Sequence, residues 1–349
     1  MTSKVLTKYS EVRTDKLTGQ SIILVEGREQ RPTDLINTDS KDNDQNAALN
    51  VKKCVFCSGN EDKTPKEIWR KPFASSTENW EIRVIPNMFP ALLIEGTSKS
   101  DEKHSLDNNR IIDAKGAHEV IVATPNHNDT FATISDKQMD LILEVIVERQ
   151  NDLYYNLAGV ENIKTWINWG KAAGASLRHP HVQLLCLPVN PELDLIYRAY
   201  KFNEERRETI MDSQIKKAIE DELTFFENDD FIALCPFASI QPYMMRIFPK
   251  ILVPSLKYLE PNNRFMLAAT LNQCFKRLEN VFRFLPPLNT VFHEIPYTWS
   301  DSKNKFKFWI DIIPAINKLA GFELATGYSY FINSKPPDKA AKELREIKI

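Results

Sequence analysis

Twice along this chain, strand-like runs end at a proline, a long amphipathic helix follows, and two further runs lead to another proline. In the first copy the runs are Ile82–Ile85, Ala91–Ile94 and Glu119–Ala123, followed by Pro125. A helix is predicted over Asp136–Asn156, then strands at Thr165–Asn168 and Val182–Leu187, ending at Pro188. In the second copy Asn228–Ala238 echoes Asn79–Ala91, and Met244–Phe248 precedes Pro249. A helix near Asn262–Phe284 and strands at Thr290–Glu294 and Phe306–Ile313 lead to Pro314. Short strands with one long helix per copy suggest a repeated unit, and the chain is expected to divide into two domains at 1–195 and 196–349.

The helix has both of its expected signatures. Ser135 and Gln138 have the spacing of a capping box, and Met139, Ile142, Leu143 and Ile146 fall on one face. Pro191–Glu227 reads as a largely helical, charged connector, its 203–222 charge run a solvated face. Asn37–Lys53 and Thr97–Lys115 are poor in apolar residues and read as loops. Setting Pro188 against Pro314 places Lys307 opposite His181, Lys305 opposite His179 and Trp309 opposite Gln183, so chemistry is expected in the first copy only.

The formal charge of −2 argues against a general nucleic-acid binder, while leaving room for a local phosphate site. The first residues lack a signal-peptide apolar core, and no run reaches the roughly 20 apolar residues of a membrane span. A cytoplasmic protein with no membrane or nucleic-acid partner is expected. Five cysteines are too few for a disulfide scaffold, and the Cys54-x-x-Cys57 pair suggests metal or redox work in a reducing compartment. Cys54, Cys57, His127 and His179 make a chemically sensible zinc set, and two buried thiols with two surface histidines are the alternative. Cys186, Cys235 and Cys274 read as small buried groups. His118 and His293 read as strand-end histidines with local hydrogen bonds, and His104 as part of a polar loop.

The sharpest local pattern is GASLRHPHVQLL, Gly174 to Leu185. On a regular strand His179, His181 and Gln183 share a face, and Pro180 suggests an edge or an irregular start. A neutral imidazole with one nitrogen hydrogen-bonded can attack phosphorus through the other, giving a phosphoramidate at His181. Gln183 could donate to a phosphate oxygen without competing as a base. Upstream, Asn168, Gly170, Gly174 and Ser176 would let backbone and hydroxyl approach a phosphate. Arg28 and Arg31 follow a strand-like Ser21–Val25 and could fork onto phosphate oxygens, though solvated arginines would look the same.

Taken in order, these residues resemble the galactose-1-phosphate uridylyltransferase family, a branch of the histidine-triad superfamily that includes sugar-nucleotide phosphorylases. The likeness runs through Arg13–Asp34, CVFCSGNEDKTP from Cys54, NMFPAL from Asn87, GAHEVIVATPNH from Gly116, NWGKAAGASLRHPHVQ from Asn168 and AGFELATG from Ala320. It implies an α+β fold of duplicated histidine-triad-like units with mainly antiparallel sheet and packed helices, assembled as a homodimer. His181 would be the nucleophile of a ping-pong nucleotidyltransferase, with Gln183 and Ser176 completing the catalytic group. Cys54, Cys57, His127 and His179 would hold one structural zinc. Arg28, Arg31, Asn87, Asn168, Gly170 and Gly174 would contact nucleotide or phosphate, and Glu323 and Phe322 the sugar. The substrates implied are a nucleotide-sugar and a sugar 1-phosphate, by default UDP-glucose and galactose 1-phosphate. Phosphorolysis of ADP-glucose or another nucleotide-sugar is the alternative.

The chain departs from that pattern in three places. It has no second CxxC, and Lys307 and Trp309 stand where members show His-x-His, so a second metal site is expected to be absent. Trp169 replaces the usual Lys or His after Asn168, which puts the acceptor pocket in question, with Lys171 as a substitute. A histidine-triad hydrolase would carry a third histidine at Gln183. A zinc-stabilised nucleotide-binding protein without turnover is the reading from outside enzymology.

Overall fold

The computed structural model describes residues 9–14, 21–26, 54–73, 76–94, 110–188, 208–299, 306–317, 321–328 and 330–349. At 9–14, 21–26, 73, 76–78, 110–113 and 321–322 it describes the backbone only. In chain order come β1 (Tyr9–Thr14), β2 (Ser21–Glu26), β3 (Trp69–Phe73), β4 (Ser76–Pro86), β5 (Arg110–Asp113) and β6 (His118–Val122). Then come α1 (Asp136–Asn156), β7 (Asn162–Trp169), β8 (His181–Leu187), α2 (Ile210–Glu220), β9 (Thr224–Glu227), β10 (Phe231–Leu234) and β11 (Met245–Pro249). The chain continues through α3 (Pro261–Phe282), β12 (Leu288–His293), β13 (Trp309–Pro314), the short α4 (Gly321–Ala325) and α5 (Pro337–Glu346).

Ten strands form one sheet in the order β3-β4-β6-β8-β7-β12-β13-β11-β10-β9, and β2-β1-β5 form a small second sheet. Every strand pairing is antiparallel. The large sheet reads as the same plan from either end, with β7 and β12 paired at its centre. The expected duplication is therefore two half-sheets fused edge to edge.

Helix α1 begins and ends where its apolar spacing places it. Ser135 caps it by accepting from the Gln138 amide at 3.1 Å. The expected capping box is only half formed: the Gln138 side chain donates instead to the carbonyls of Glu81 and Ala123, and so docks the helix start onto the sheet. Met139, Ile142, Leu143, Val145 and Ile146 are buried against the sheet, each contributing about 1.5–3 kcal/mol of transfer free energy. Helix α3 packs beside α1, tied by Arg264 to Asp140 and Glu144 and by Asn272 to Asp136. Under the seam, Gln150 donates to Thr165 Oγ1 at 3.0 Å and to Glu294 Oε2 at 2.7 Å, while Glu294 Oε1 accepts from the Leu256 amide. The halves thus share a polar network as well as a core.

Several expectations need correcting. Ala91–Ile94 forms no strand, only an isolated bridge between Leu93 and Lys115. Within the supposed loop Thr97–Lys115, Arg110–Asp113 pairs with β1. The supposed connector ends in a strand, β9, because Phe225 and Leu223 turn into the core. Strand β8 is interior, not an edge. Among the described residues, no helix is long and apolar enough to cross a membrane.

Candidate active site

Alternation along β8 separates two environments. Val182, Leu184 and Cys186 point into the main core under α1, leaving His181, Gln183 and Leu185 for the opposite face. β6 pairs with β8 from His181 onward, but β7 joins it only at Gln183, opposite Trp166. Beyond Trp166, β7 continues through Trp169 paired with β12 alone. His181 therefore sits where β8 has a neighbour on one side only. Pro180 lies just before, and its carbonyl accepts from the Ala123 amide at 3.0 Å. The missing proline N–H falls where the β7 ladder has already ended.

His179 precedes the strand instead of sharing its regular face with His181. It is fully buried, and its Nε2 lies 2.7 Å from the Thr124 carbonyl. That carbonyl takes the ring proton, so Nδ1 carries the lone pair. Nδ1 stands 3.7 Å from both Cys54 Sγ and Cys57 Sγ, and His127 Nδ1 lies 3.1 Å from Cys57 Sγ. The four ligand atoms all fall within 4.8 Å of one another, and all four residues are buried. A tetrahedral zinc site with bonds of about 2.3 Å to sulfur and 2.0 Å to nitrogen spaces its donors about 3.3–3.8 Å apart. The two 3.7 Å separations fall in that range, the 3.1 Å one lies just below it, and the 4.8 Å bound on the set is wider than a closed site. Burial pulls the His179 pKa down to about 4, keeping the ring neutral as a ligand must be, and burial followed by the neighbouring Cys54 pushes Cys57 up to about 12. A bound dication would reverse the second shift. The Nε2 atom of His127 is buried and has no hydrogen-bond partner among the described residues.

Phe56, between the two cysteines, sets its ring edge against His179 and His181, at 6.1 and 5.3 Å between centroids. His181 Nδ1 lies 2.8 Å from its own neighbour's carbonyl, that of His179. A carbonyl only accepts, so the proton is on Nδ1 and the lone pair is on Nε2.

Upstream in the chain, Gly170 (φ 77°, ψ 153°) occupies backbone space that is essentially closed to other residues, and Gly174 (φ 84°, ψ 11°) is left-handed. They bracket one turn of 3-10 helix, Lys171–Ala173, before the exposed Ser176. Asn289 of β12 donates to Asn168 Oδ1 at 2.7 Å and to the Ala173 carbonyl at 2.8 Å. Trp169 faces the other way. It is buried against Phe131, and its indole donates to the Leu285 carbonyl, so it does not line the His181 side of the sheet.

Asn87, just past β4, accepts from the Phe89 amide and turns its Nδ2 to within 3.1 Å of His118 Nε2. The same His118 nitrogen is 3.1 Å from Gln183 Oε1. The sequence alone marks neither His118 nor Asn289 as a site residue. His118 lay inside the GAHEVIVATPNH stretch, which was the only signal for it. Asn289 had none, since it comes from the other half of the chain.

Arg28 and Arg31 lie outside the described residues, as does the Phe322 side chain. Glu323 is buried in α4 and accepts from the Ile332 amide, and no described contact joins it to His181. Across the pseudo-symmetry, Lys307 Nζ is bound to Asp212 at 2.7 Å and to the carbonyls of Lys250 and Pro249. Trp309 stacks on His293 at 4.6 Å, and His293 reaches Asp311 at 3.4 Å. Lys305 lies outside the described residues.

His181 with Nδ1 held by a carbonyl, Gln183 on the same strand face and the glycine-bracketed turn that precedes them in the chain form the candidate site, an arrangement that would suit a nucleophilic imidazole. Residues 2–191 match the family described as galactose-1-phosphate uridyl transferase, N-terminal domain, and the chain belongs to that family. It is 27% identical over 343 residues, 97% of this chain and 93% of the relative, to an ADP-glucose phosphorylase of Arabidopsis thaliana. It is 29% identical over 245 residues, 68% and 76% of the two chains, to a galactose-1-phosphate uridylyltransferase of Thermotoga maritima. A crystal structure of an ADP-glucose phosphorylase from Arabidopsis thaliana with bound ADP-glucose superposes with a TM-score of 0.72 at 25% identity, covering 97% of this chain and all of that one.

Proposed function

We propose that the chain is a nucleotidyltransferase working through a covalent nucleotidyl-His181 intermediate. The observation that carries this is the 2.8 Å contact from His181 Nδ1 to the His179 carbonyl, which leaves Nε2 as the attacking atom. Nε2 attacks the α-phosphorus of a nucleoside diphosphate sugar. The N–P bond forms, the P–O bond to the distal phosphate breaks, and that oxygen leaves with its electron pair as a sugar 1-phosphate. In the second half-reaction an acceptor phosphate oxygen attacks the same phosphorus and His181 departs. As charge develops on the phosphoryl oxygens, the Gln183 amide, Ser176 and the 170–174 turn donate to them. Asn87, Asn168, Arg28 and Arg31 hold the nucleotide and its phosphates, and Glu323 and Phe322 the sugar.

Cys54, Cys57, His127 and His179 would hold one zinc ion, which supplies charge neutralisation for two thiolates and a rigid anchor. In this reading the residues themselves place the His179 carbonyl against His181. Residues 1–195 form the catalytic half and 196–349 the completing half of a cytoplasmic homodimer.

The activity we assign is transfer of UMP from UDP-glucose to galactose 1-phosphate. The relative matched over 97% of the chain favours a second reading, phosphorolysis of ADP-glucose with inorganic phosphate as acceptor. Single-turnover labelling with UDP-glucose and ADP-glucose, each chased with galactose 1-phosphate or inorganic phosphate, tests both. An acid-labile adduct is expected on His181 from at least one donor. Absence of any adduct would overturn the mechanism, and the productive chase decides between the activities.

A further inference from the structure

We infer that His118 is a positioning residue for nucleotidyl transfer, acting through Gln183; this rests on the role given to Gln183 above. The imidazole is buried on the site face of β6, tilted against the Trp166 ring at 5.8 Å. The Ala91 backbone N–H lies 3.2 Å from His118 Nδ1. A backbone N–H can only donate, so Nδ1 carries the lone pair and the neutral ring keeps its proton on Nε2.

Two groups lie at 3.1 Å from Nε2: Gln183 Oε1 and Asn87 Nδ2. Asn87 cannot take the proton, because its Oδ1 is held by the Phe89 amide and the nitrogen it turns to the ring is itself a donor. Of these two neighbours Gln183 Oε1 is the acceptor, and it receives the Nε2–H bond. Val120 lies directly opposite Gln183 in the β6–β8 register, with His118 two residues away on the same face, so the pairing of these strands sets the contact.

The consequence falls on the amide. With its oxygen held by His118, Gln183 must present its NH2 group to the side shared with His181. A glutamine free to turn over would also present its oxygen, which repels a phosphoryl oxygen. Loss of one prearranged donor to a developing oxyanion typically slows reaction by about 10²–10³-fold. No bond is made or broken at His118; its proton stays on Nε2 throughout.

The test compares single-turnover labelling of His181 in wild type, His118→Phe, Gln183→Ala and the double variant, using whichever of UDP-glucose and ADP-glucose labels wild type. His118→Phe should slow adduct formation by about 10–100-fold, change donor affinity by less than about threefold, and add nothing further in the Gln183→Ala background. His118→Gln, with an N–H at the equivalent reach, should recover part of the rate. A wild-type rate in His118→Phe, or effects that multiply in the double variant, would overturn the proposal. Nitrogen-15 NMR of histidine-labelled protein gives an answer independent of turnover and of the folding of variants. The Nε2–H form with an acceptor Nδ1 is expected at His118, and the Nδ1–H form sinks the idea. If wild type forms no adduct, the transferase reading fails while the ring tautomer still decides this one.

Discussion

The backbone carbonyl of His179 accepts from Nδ1 of His181 at 2.8 Å, while the His179 ring is itself held by the Thr124 carbonyl on one side and the thiols on the other. One residue is thus both a member of the Cys2His2 group and the acceptor that sets the tautomer of its neighbour. On the proposed mechanism, replacing His181 removes the attacking atom and leaves the four members of that group in place. His181→Asn should lower adduct formation by on the order of 10³-fold or more, with the metal content of the protein unchanged by elemental analysis.

The Cys2His2 group makes a separate prediction. Purified protein should carry about one equivalent of zinc per chain. Cys57→Ser should lose it and lower the melting temperature by roughly 5 °C or more, corresponding to about 2 kcal/mol for a domain of this size. Calorimetry with and without a chelator checks this. A Cys57→Ser protein with wild-type zinc and melting temperature would remove the metal assignment.

Gly170 and Gly174 both have positive φ, but they are not equivalent. A Cβ at Gly170 would meet Pro287 at 3.0–3.1 Å in addition to its forbidden backbone angles, whereas a Cβ at Gly174 meets nothing within 4 Å. Gly170→Ala should cost about 3 kcal/mol or more and also slow labelling of His181. Gly174→Ala should cost only about 1–2 kcal/mol. Urea midpoints of the two variants, compared side by side, give the order.

Lys307 occupies the second-half position opposite His181, and its ammonium is buried among Asp212 and two carbonyls. Lys307→Met should destabilise by about 1–3 kcal/mol, since Asp212 is partly exposed and water can replace the lost partner. The labelling rate should not change. A rate loss larger than the stability loss explains would show that the second half takes part in the chemistry.

What could be read from the sequence followed from how local each signal was. Helix α1 needs only a 3.6-residue apolar period and Ser135, and both lie within one stretch of chain. The Cys2His2 set spans 125 residues, and one CxxC with scattered histidines leaves buried thiols and surface imidazoles as an equal reading; the likeness of the ordered motifs is what selects these four. His118 was read as a strand-end histidine making local bonds. It also lies 3.1 Å from Gln183 Oε1, 65 residues away in the chain, a contact that depends on the β6–β8 register. Asn289 is reached across the seam between the halves, where no short-range pattern exists. Trp169 looked like an altered pocket residue because position in a motif does not tell which sheet face a side chain takes. Alternation from Asn168 turns it into the core.

The central pairing of β7 with β12 has a consequence for how the chain can be divided. A fragment ending after β8, or one beginning before α2, would each expose along that seam a row of backbone N–H and C=O groups now satisfied by the other. Such fragments are built to stick, either to one another or to further copies of themselves. Expressed alone they should aggregate, and expressed together they should recover a soluble pair. The cut that best respects the internal duplication is then the one the protein can least withstand, because the join between the copies is itself a strand pair.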